Sequence, residues 1–528
     1  MRSILLGVGA AALLPFAVFA TPISADPGLA PLSASPDAQH IDDSYIVVFK
    51  KGIDVDQIAL HLNVVEGWHY ASPLYAFTSD GDVDTGGINH VYVPSTEHFN
   101  YAGYAGKFSP ETIDSIRSAP EVAYVERDQV MHTLEIPRGV DDAFFDGSDD
   151  SADLSSSGIM TETGAPWGLA RLSHRDPLHL STFTKYLYHQ DGGSGVTAYV
   201  IDTGINIDHV EFEGRATWGK TIPKNDVDKD GNGHGTHCAG TIASKKYGVA
   251  KAAKLVAVKV LGSNGSGSMS DVLAGVVWAA NQASEAAVNA IKELVATGKT
   301  KHKGSVANMS LGGGKSQSLD DAVNAAVEAG LHFAVAAGND NRDACNYSPA
   351  SAELAVTVGA STLGDQRAYF SNHGKCVDIF APGLNILSTW NGGNETSNTI
   401  SGTSMASPHI CGLLAYLLSI HGTETFSLLE GDDSSDLAPA GYYEKAYDLL
   451  PKAVQAVLPQ PGAGVGILVS PDGNQVAPIP PKNNGTITPA KLKKALIALA
   501  SPGMLEDLPS GTPNLLAYNN ATLPSKKA

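Results

Sequence analysis

Four polar residues stand at or just beyond the boundaries of predicted elements. Asp202 follows the run 196–201, His234 lies in Gly-His-Gly-Thr-His, Asn339 closes Ala-Val-Ala-Ala-Gly-Asn, and Ser404 precedes the apolar series 410–420. A serine hydroxyl attacks a carbonyl only when a neighbouring base removes its proton, and imidazole is suited to that task. A carboxylate can fix the imidazole tautomer, while a carboxamide offers a neutral donor to a developing oxyanion. Together the four residue types describe acyl transfer through a serine. Each taken singly has an ordinary structural reading: a helix cap for Ser404, a turn for Asp202 and Asn339. Cys238 lies one helical turn beyond His234 and reads as a thiol near the base, with His237 as packing or hydrogen-bonding support. A metal set of Asp, His and Cys is the competing chemistry, but no His-x-x-x-His or Cys-x-x-Cys spacing completes it.

The elements needed to position these residues are legible. Beyond residue 165, strands at 196–201, 255–260, 305–309 and 333–336 alternate with helices at 234–244, 269–296 and 319–329. The strands are continuous Val/Ala/Ile runs, as expected when helices cover both sheet faces, so the pattern predicts a three-layer α/β domain with a mainly parallel sheet. Ligands of such sheets bind beyond the carboxyl ends of the strands, where Asp202 and Asn339 fall. Ser404 falls at a helix start, where free N–H groups favour an oxyanion.

Ahead of this domain, residues 44–133 predict a small α+β unit. Strands at 44–50, 89–93, 101–108 and 122–126 alternate with helices at 55–62 and 112–118. Residues 1–20 have the basic start, short apolar core and small-residue exit of a secretory signal, followed by a linker at 21–43. Residues 134–164 turn acidic and Ser/Gly-rich, a segment open to proteolytic processing. An irregular acidic insertion occupies about 421–487, before a helix that Thr488-Pro-Ala opens, with Lys491, Lys493 and Lys494 available for solvent.

A chain of 528 residues with formal charge −20 lacks the basic excess that a nucleic-acid partner requires, and after the leader no segment reads as a membrane anchor. Four cysteines permit at most two disulfides. Cys345 and Cys376 lie in Gly/Asn/Pro-containing stretches and are the favoured pair, whereas Cys238 and Cys411 read as buried thiols; the connectivity stays open. Asn264, Asn394, Asn484 and Asn520 are candidate glycan acceptors, and Asn308, inside a strand by pattern, is not.

The segments Val200-Ile-Asp-Thr-Gly204, His234-Gly-Thr-His-Cys-Ala-Gly240, Asn308-Met-Ser-Leu-Gly-Gly313, Ala336-Ala-Gly-Asn339 and Gly402-Thr-Ser-Met-Ala-Ser-Pro408 resemble those of subtilisin-like serine proteases. The order Asp…His…Ser is that of subtilisin itself. The resemblance is strongest to the proteinase K group and its fungal vacuolar protease B (cerevisin) branch. It implies an autoprocessed endopeptidase with apolar or aromatic preference, in which Asp202, His234 and Ser404 form a triad and Asn339 binds the oxyanion. It further implies that Ser310, Leu311, Gly312, Gly313, Ala336, Ala337 and Gly338 border the specificity pocket. Gly265, Ser266 and Gly267 would pair with the substrate backbone, and residues 44–133 would be an inhibitory and chaperoning propeptide. A monomer acting on polypeptides in the vacuolar lumen, or alternatively outside the cell, is expected. No cofactor is required for catalysis, and a structural calcium ion is expected at Asp378. A catalytically silent peptide-binding scaffold is the rival reading.

Overall fold

The computed structural model describes residues 28–72, 86–94, 99–136, 152–154, 158–423, 425–428 and 487–521. The expected signal at 1–20, most of the acidic stretch 134–164, nearly all of the insertion and the Asn484 acceptor lie outside the described residues.

In the N-terminal unit, strands β1 (His40–Phe49), β2 (Gly87–Tyr92), β3 (Gly103–Lys107) and β4 (Val122–Thr133) form an antiparallel sheet in the order β4-β1-β3-β2. Helix α1 (Val55–Tyr70) starts at Asp54, whose carboxylate accepts Gln57 N–H at 2.9 Å while Gln57 Oε1 accepts Asp54 N–H at 3.3 Å. This reciprocal cap defines the start. Buried Ile58, His61, Val65 and His69 recur at helical spacing and carry the helix well past the expected end at residue 62. Helix α2 (Pro110–Arg117) is capped by Ser109 and places Ile113 and Ile116 with Ile58 and Val65 against Tyr45, Val47, Tyr104 and Val125 of the sheet.

The larger unit has helices α3 (His234–Ala243), α4 (Met269–Thr297), α5 (Gln317–Glu328), α6 (Thr403–Ile420) and α7 (Pro489–Leu499). Its sheet includes β5 (Val196–Asp202), β6 (Ala216–Thr221), β7 (Lys254–Lys259), β9 (Gly304–Met309), β11 (His332–Ala336), β12 (Val356–Ser361) and β13 (Ile379–Pro382). These are parallel, in the order β6-β7-β5-β9-β11-β12-β13. One face packs on α4 and α5 through Ile201, Val258, Val335, Val276 and Val323, and the other on α3 and α6. The result is the three-layer α/β fold with a parallel sheet expected from the alternating pattern. Every residue of α6 is buried, so a helix long and apolar enough to cross a bilayer serves here as the domain's central core element.

The two units share one sheet. Two short strands of the larger unit, β8 (Ser266–Ser268) and β10 (Leu311–Gly314), both pair antiparallel with the end of β4. This is why β4 runs to Thr133 rather than stopping near residue 126. The partners that satisfy its last backbone groups come from the other unit. The outer face of the small sheet rests on α4 and α5, where Tyr92 Oη donates to Ser270 O at 2.9 Å and Tyr124 Oη donates to Asp321 Oδ2 at 2.7 Å.

A disulfide joins Cys345 and Cys376, whose Cα atoms lie 5.3 Å apart, while Cys238 and Cys411 are buried free thiols. Residues 159–163 form a strand that pairs with Lys185–His189, so the end of the acidic stretch belongs to the larger unit instead of serving as a free linker.

Candidate active site

Asp202 ends β5 and His234 opens α3, so a parallel-strand terminus and a helix terminus deliver a carboxylate and an imidazole to one point. His234 Nδ1 lies 2.8 Å from Asp202 Oδ1, and both side chains are fully enclosed. Thr203 N–H also donates to Asp202 Oδ1 at 2.7 Å, whereas Oδ2 has no hydrogen-bond partner among the described residues. Burial is the largest single influence and disfavours the imidazolium, but the Asp202 carboxylate, with a further contribution from Cys238, raises the His234 pKa well above the ordinary histidine value.

The opening of α3 depends on a residue that sequence reasoning passed over. Buried Asp230 accepts Gly233 N–H at 2.8 Å and Thr236 N–H at 3.0 Å, together with the hydroxyls of Thr203 and Thr236. It therefore satisfies the free amides of the helix and ties them to the loop after β5. Its signal was the Asp-Gly-Asn-Gly run directly before His234, a turn-forming acidic residue at a helix start.

His237 turns away from the site. Its Nε2 lies 2.9 Å from Ile386 O, and burial lowers its pKa to about 3, so it stays a neutral buttress. The Cys238 thiol lies 4.0 Å from His234 Nδ1, with its pKa raised by burial. Asp202, His234 and Cys238 thus cluster, but Nδ1 is already engaged by the carboxylate and the thiol is held protonated, which is poor chemistry for a metal set.

Ser404 occupies the first turn of α6. Its Oγ donates to Ser310 O at 3.0 Å, and His234 Nε2 has no hydrogen-bond partner among the described residues. Ser310 Oγ in turn donates to Ser404 O at 2.8 Å and is itself reached by Asn308 Nδ2 at 2.9 Å. Asn308 is thereby a buried buttress within β9, in keeping with its exclusion as a glycan acceptor.

Asn339 follows β11. Its Oδ1 accepts Thr403 N–H at 2.9 Å and Thr403 Oγ1–H at 2.8 Å, which commits that oxygen and points Nδ2 outward. Nδ2 donates to the carbonyl oxygen of Leu134 at 2.7 Å. The chain after β4 therefore lies in the site: Thr133 N–H reaches Gly265 O at 2.9 Å, and Ile136 N–H reaches Ser401 O at 2.8 Å. The Leu134–Glu135 peptide bond is held between these anchors. Gly402 allows the approach, since a Cβ there would meet Leu134 O at 2.4 Å.

The expected subsite residues divide into those that touch this segment and those that do not. Ser266 and Gly267 pair with His132 and Met131, and Leu311 and Gly312 pair with Thr133 and His132. A Cβ on Gly312 would lie 3.0 Å from Leu134 Cδ1, and one on Gly313 would meet Met131 Sδ at 2.6 Å. Ala336 ends β11, and Ala337 and Gly338 follow it immediately before Asn339, the two alanines being enclosed. Asp378 lies apart from the site, on the way into β13, paired with Lys493.

The Subtilase family profile matches residues 193–430 and the Peptidase inhibitor I9 profile matches residues 44–134. The chain is 51% identical to the subtilisin-like serine protease Pen c 2 of Penicillium citrinum, over 96% of this chain and 95% of that one. It is 49% identical to alkaline protease 2 of Aspergillus fumigatus, over 96% of this chain and 88% of that one. A cold-adapted subtilisin-like serine proteinase of solved structure is 37% identical, with a TM-score of 0.47, covering 67% of this chain and 98% of that one.

Proposed function

The chain belongs to the subtilase family of serine proteases with an I9 inhibitor domain, and on that premise we propose that its first substrate is its own Leu134–Glu135 bond. The observation carrying the proposal is the Asn339 Nδ2 to Leu134 O hydrogen bond of 2.7 Å, a donor aimed at the carbonyl that attack would turn into an oxyanion.

Rotation of Ser404 Oγ from Ser310 O towards His234 Nε2 gives the base its proton as the hydroxyl adds to the Leu134 carbonyl. Asp202 keeps the imidazole oriented and stabilises the imidazolium. Asn339 holds the tetrahedral oxygen, and the Glu135 amine leaves with the proton from His234. Water then hydrolyses the acyl-enzyme by the same base. Leu134 fits an apolar preference at the bond cut, which aromatic side chains would share, with Gly312 beside its side chain and Ala336 to Gly338 closing the pocket.

Residues 44–134 act as an intramolecular inhibitor before the cut and remain noncovalently bound after it until they are degraded or dissociate. We place the mature enzyme in the secretory pathway as a monomer, in the cerevisin branch, with the vacuolar lumen and the cell exterior as the two destinations. Exposed Asn264 and Asn394 are the acceptors suited to glycosylation.

The test is N-terminal sequencing of chain made in a host without other proteases. A new terminus at Glu135, absent in Ser404→Ala, supports the proposal. Processing that persists in Ser404→Ala, or a first cut elsewhere, sinks it. Fluorescent fusions then separate vacuole from medium.

A further inference from the structure

Sequence resemblance leads to calcium at Asp378, and the donors around that residue give a different answer. Three oxygens converge there: the backbone carbonyls of Glu353 and Ala355 and the Asp378 carboxylate. Lys493 Nζ donates to Glu353 O at 2.9 Å, to Ala355 O at 2.6 Å, and lies 2.9 Å from Asp378 Oδ2. The ammonium's three protons are matched by three acceptors. Thr357 N–H also donates to Asp378 Oδ2 at 2.8 Å, orienting the carboxylate. Lys493 was expected to face solvent; only 19% of its side chain is exposed.

We propose that this oxygen cluster is a cation site that the chain fills with its own Lys493 ammonium, so that calcium does not bind there. Calcium needs six to eight oxygens at about 2.3–2.6 Å. It would have to occupy the space around the same three groups, so ion and ammonium exclude each other by volume and by charge. The lysine has the advantage of attachment. Its neighbours Leu492 and Leu496 are fully buried in the main core, which fixes the backbone of α7 and keeps the ammonium at high local concentration. The cation that would otherwise come from solution is thus supplied covalently, and it ties the helix after the acidic insertion to the starts of β12 and β13.

Full-length Ser404→Ala chain, which avoids self-digestion, is stripped with chelator and dialysed against radioactive calcium at about 1 mM. Asp378→Asn in this background is expected to bind as many ions per chain as its parent. Lys493→Met, which keeps the stem and removes the charge, is expected to bind one more, and the extra ion is expected to vanish in Lys493→Met/Asp378→Asn. Thermal midpoints should show a calcium-dependent rise specific to Lys493→Met. Loss of an ion in Asp378→Asn, or a folded Lys493→Met that gains none, overturns the proposal. If Lys493→Met fails to fold, the parent and Asp378→Asn still decide the matter, equal stoichiometry supporting it.

Discussion

The Glu126 carboxylate of β4 accepts the Ser318 backbone N–H at 2.9 Å, in the first turn of α5, so an acidic side chain of the inhibitor unit caps a helix of the protease unit. It also accepts the Ser316 hydroxyl at 3.0 Å. Two residues on, Asp128 repeats the arrangement at α4, accepting Ser270 N–H at 3.1 Å and Ser270 Oγ–H at 2.6 Å. Both carboxylates are almost fully buried, so deleting either leaves helix amides without partners.

Glu126→Ala in the isolated 44–134 segment, added in trans to mature enzyme, is therefore expected to weaken inhibition by roughly 10- to 100-fold, corresponding to about 1.5–3 kcal/mol for a charge-assisted bond. Inhibition constants from hydrolysis of a chromogenic peptide would check this. An unchanged constant would mean that water replaces the carboxylate at no cost.

The pH dependence of self-processing follows from His234. Its pKa is raised in the folded precursor, so the pH range over which the imidazole becomes a neutral base is shifted upward. The rate of appearance of the Glu135 terminus is expected to rise with pH, with a midpoint above 6.5, the ordinary histidine value. Stability has the opposite sign. A raised folded pKa stabilises the native state fully below the unfolded value, and that contribution is lost as pH rises through the folded one. Melting of Ser404→Ala precursor across pH, with and without His234→Ala, should show the high-pH loss only where His234 remains.

Asn339→Ala removes a donor at the carbonyl and a partner of Thr403. Processing is expected to slow by about 100- to 1,000-fold, the scale found for subtilisin's own oxyanion donor. Stability should fall by about 1–3 kcal/mol as Thr403 N–H loses its acceptor. Pulse-chase of the precursor and calorimetry of Ser404→Ala/Asn339→Ala measure the two effects separately. By the same subtilisin comparison, Ser404→Ala or His234→Ala should cost on the order of a millionfold in turnover.

Gly312 offers a test of specificity that leaves the catalytic groups alone. The nearest atom to an added Cβ is Leu134 Cδ1, at 3.0 Å, and the next is Ser348 O at 3.5 Å. Gly312→Ala should thus fold, cleave after leucine about 10- to 200-fold less well, and recover processing when combined with Leu134→Ala. Kinetics on paired leucine and alanine peptides would check it, and equal losses for both would place the leucine pocket elsewhere.

The parallel sheet and the four candidate site residues were legible because Val/Ala runs specify buried strands locally, with Asp202 and Asn339 at or just past strand ends and His234 and Ser404 at helix starts. What escaped was set by distant partners. Nothing near residue 126 says that β4 continues to Thr133, since Ser266–Ser268 and Leu311–Gly314 complete it. Lys493 looked solvent-facing because helical spacing gives a side chain's direction but not the oxygens waiting around Asp378. Glu126 and Asp128 read as ordinary strand charges until α4 and α5 are brought under them.

The continuity of β4 bears on timing. Cutting the Leu134–Glu135 bond frees one end of a 12-residue strand whose other end is woven into a four-stranded sheet. The cleft can empty only when that whole sheet lifts from α4 and α5 or is itself destroyed. On the proposed cut, bond cleavage and onset of activity would be separate events, and the delay between them would be set by the inhibitor's folding stability and not by the chemistry of Ser404.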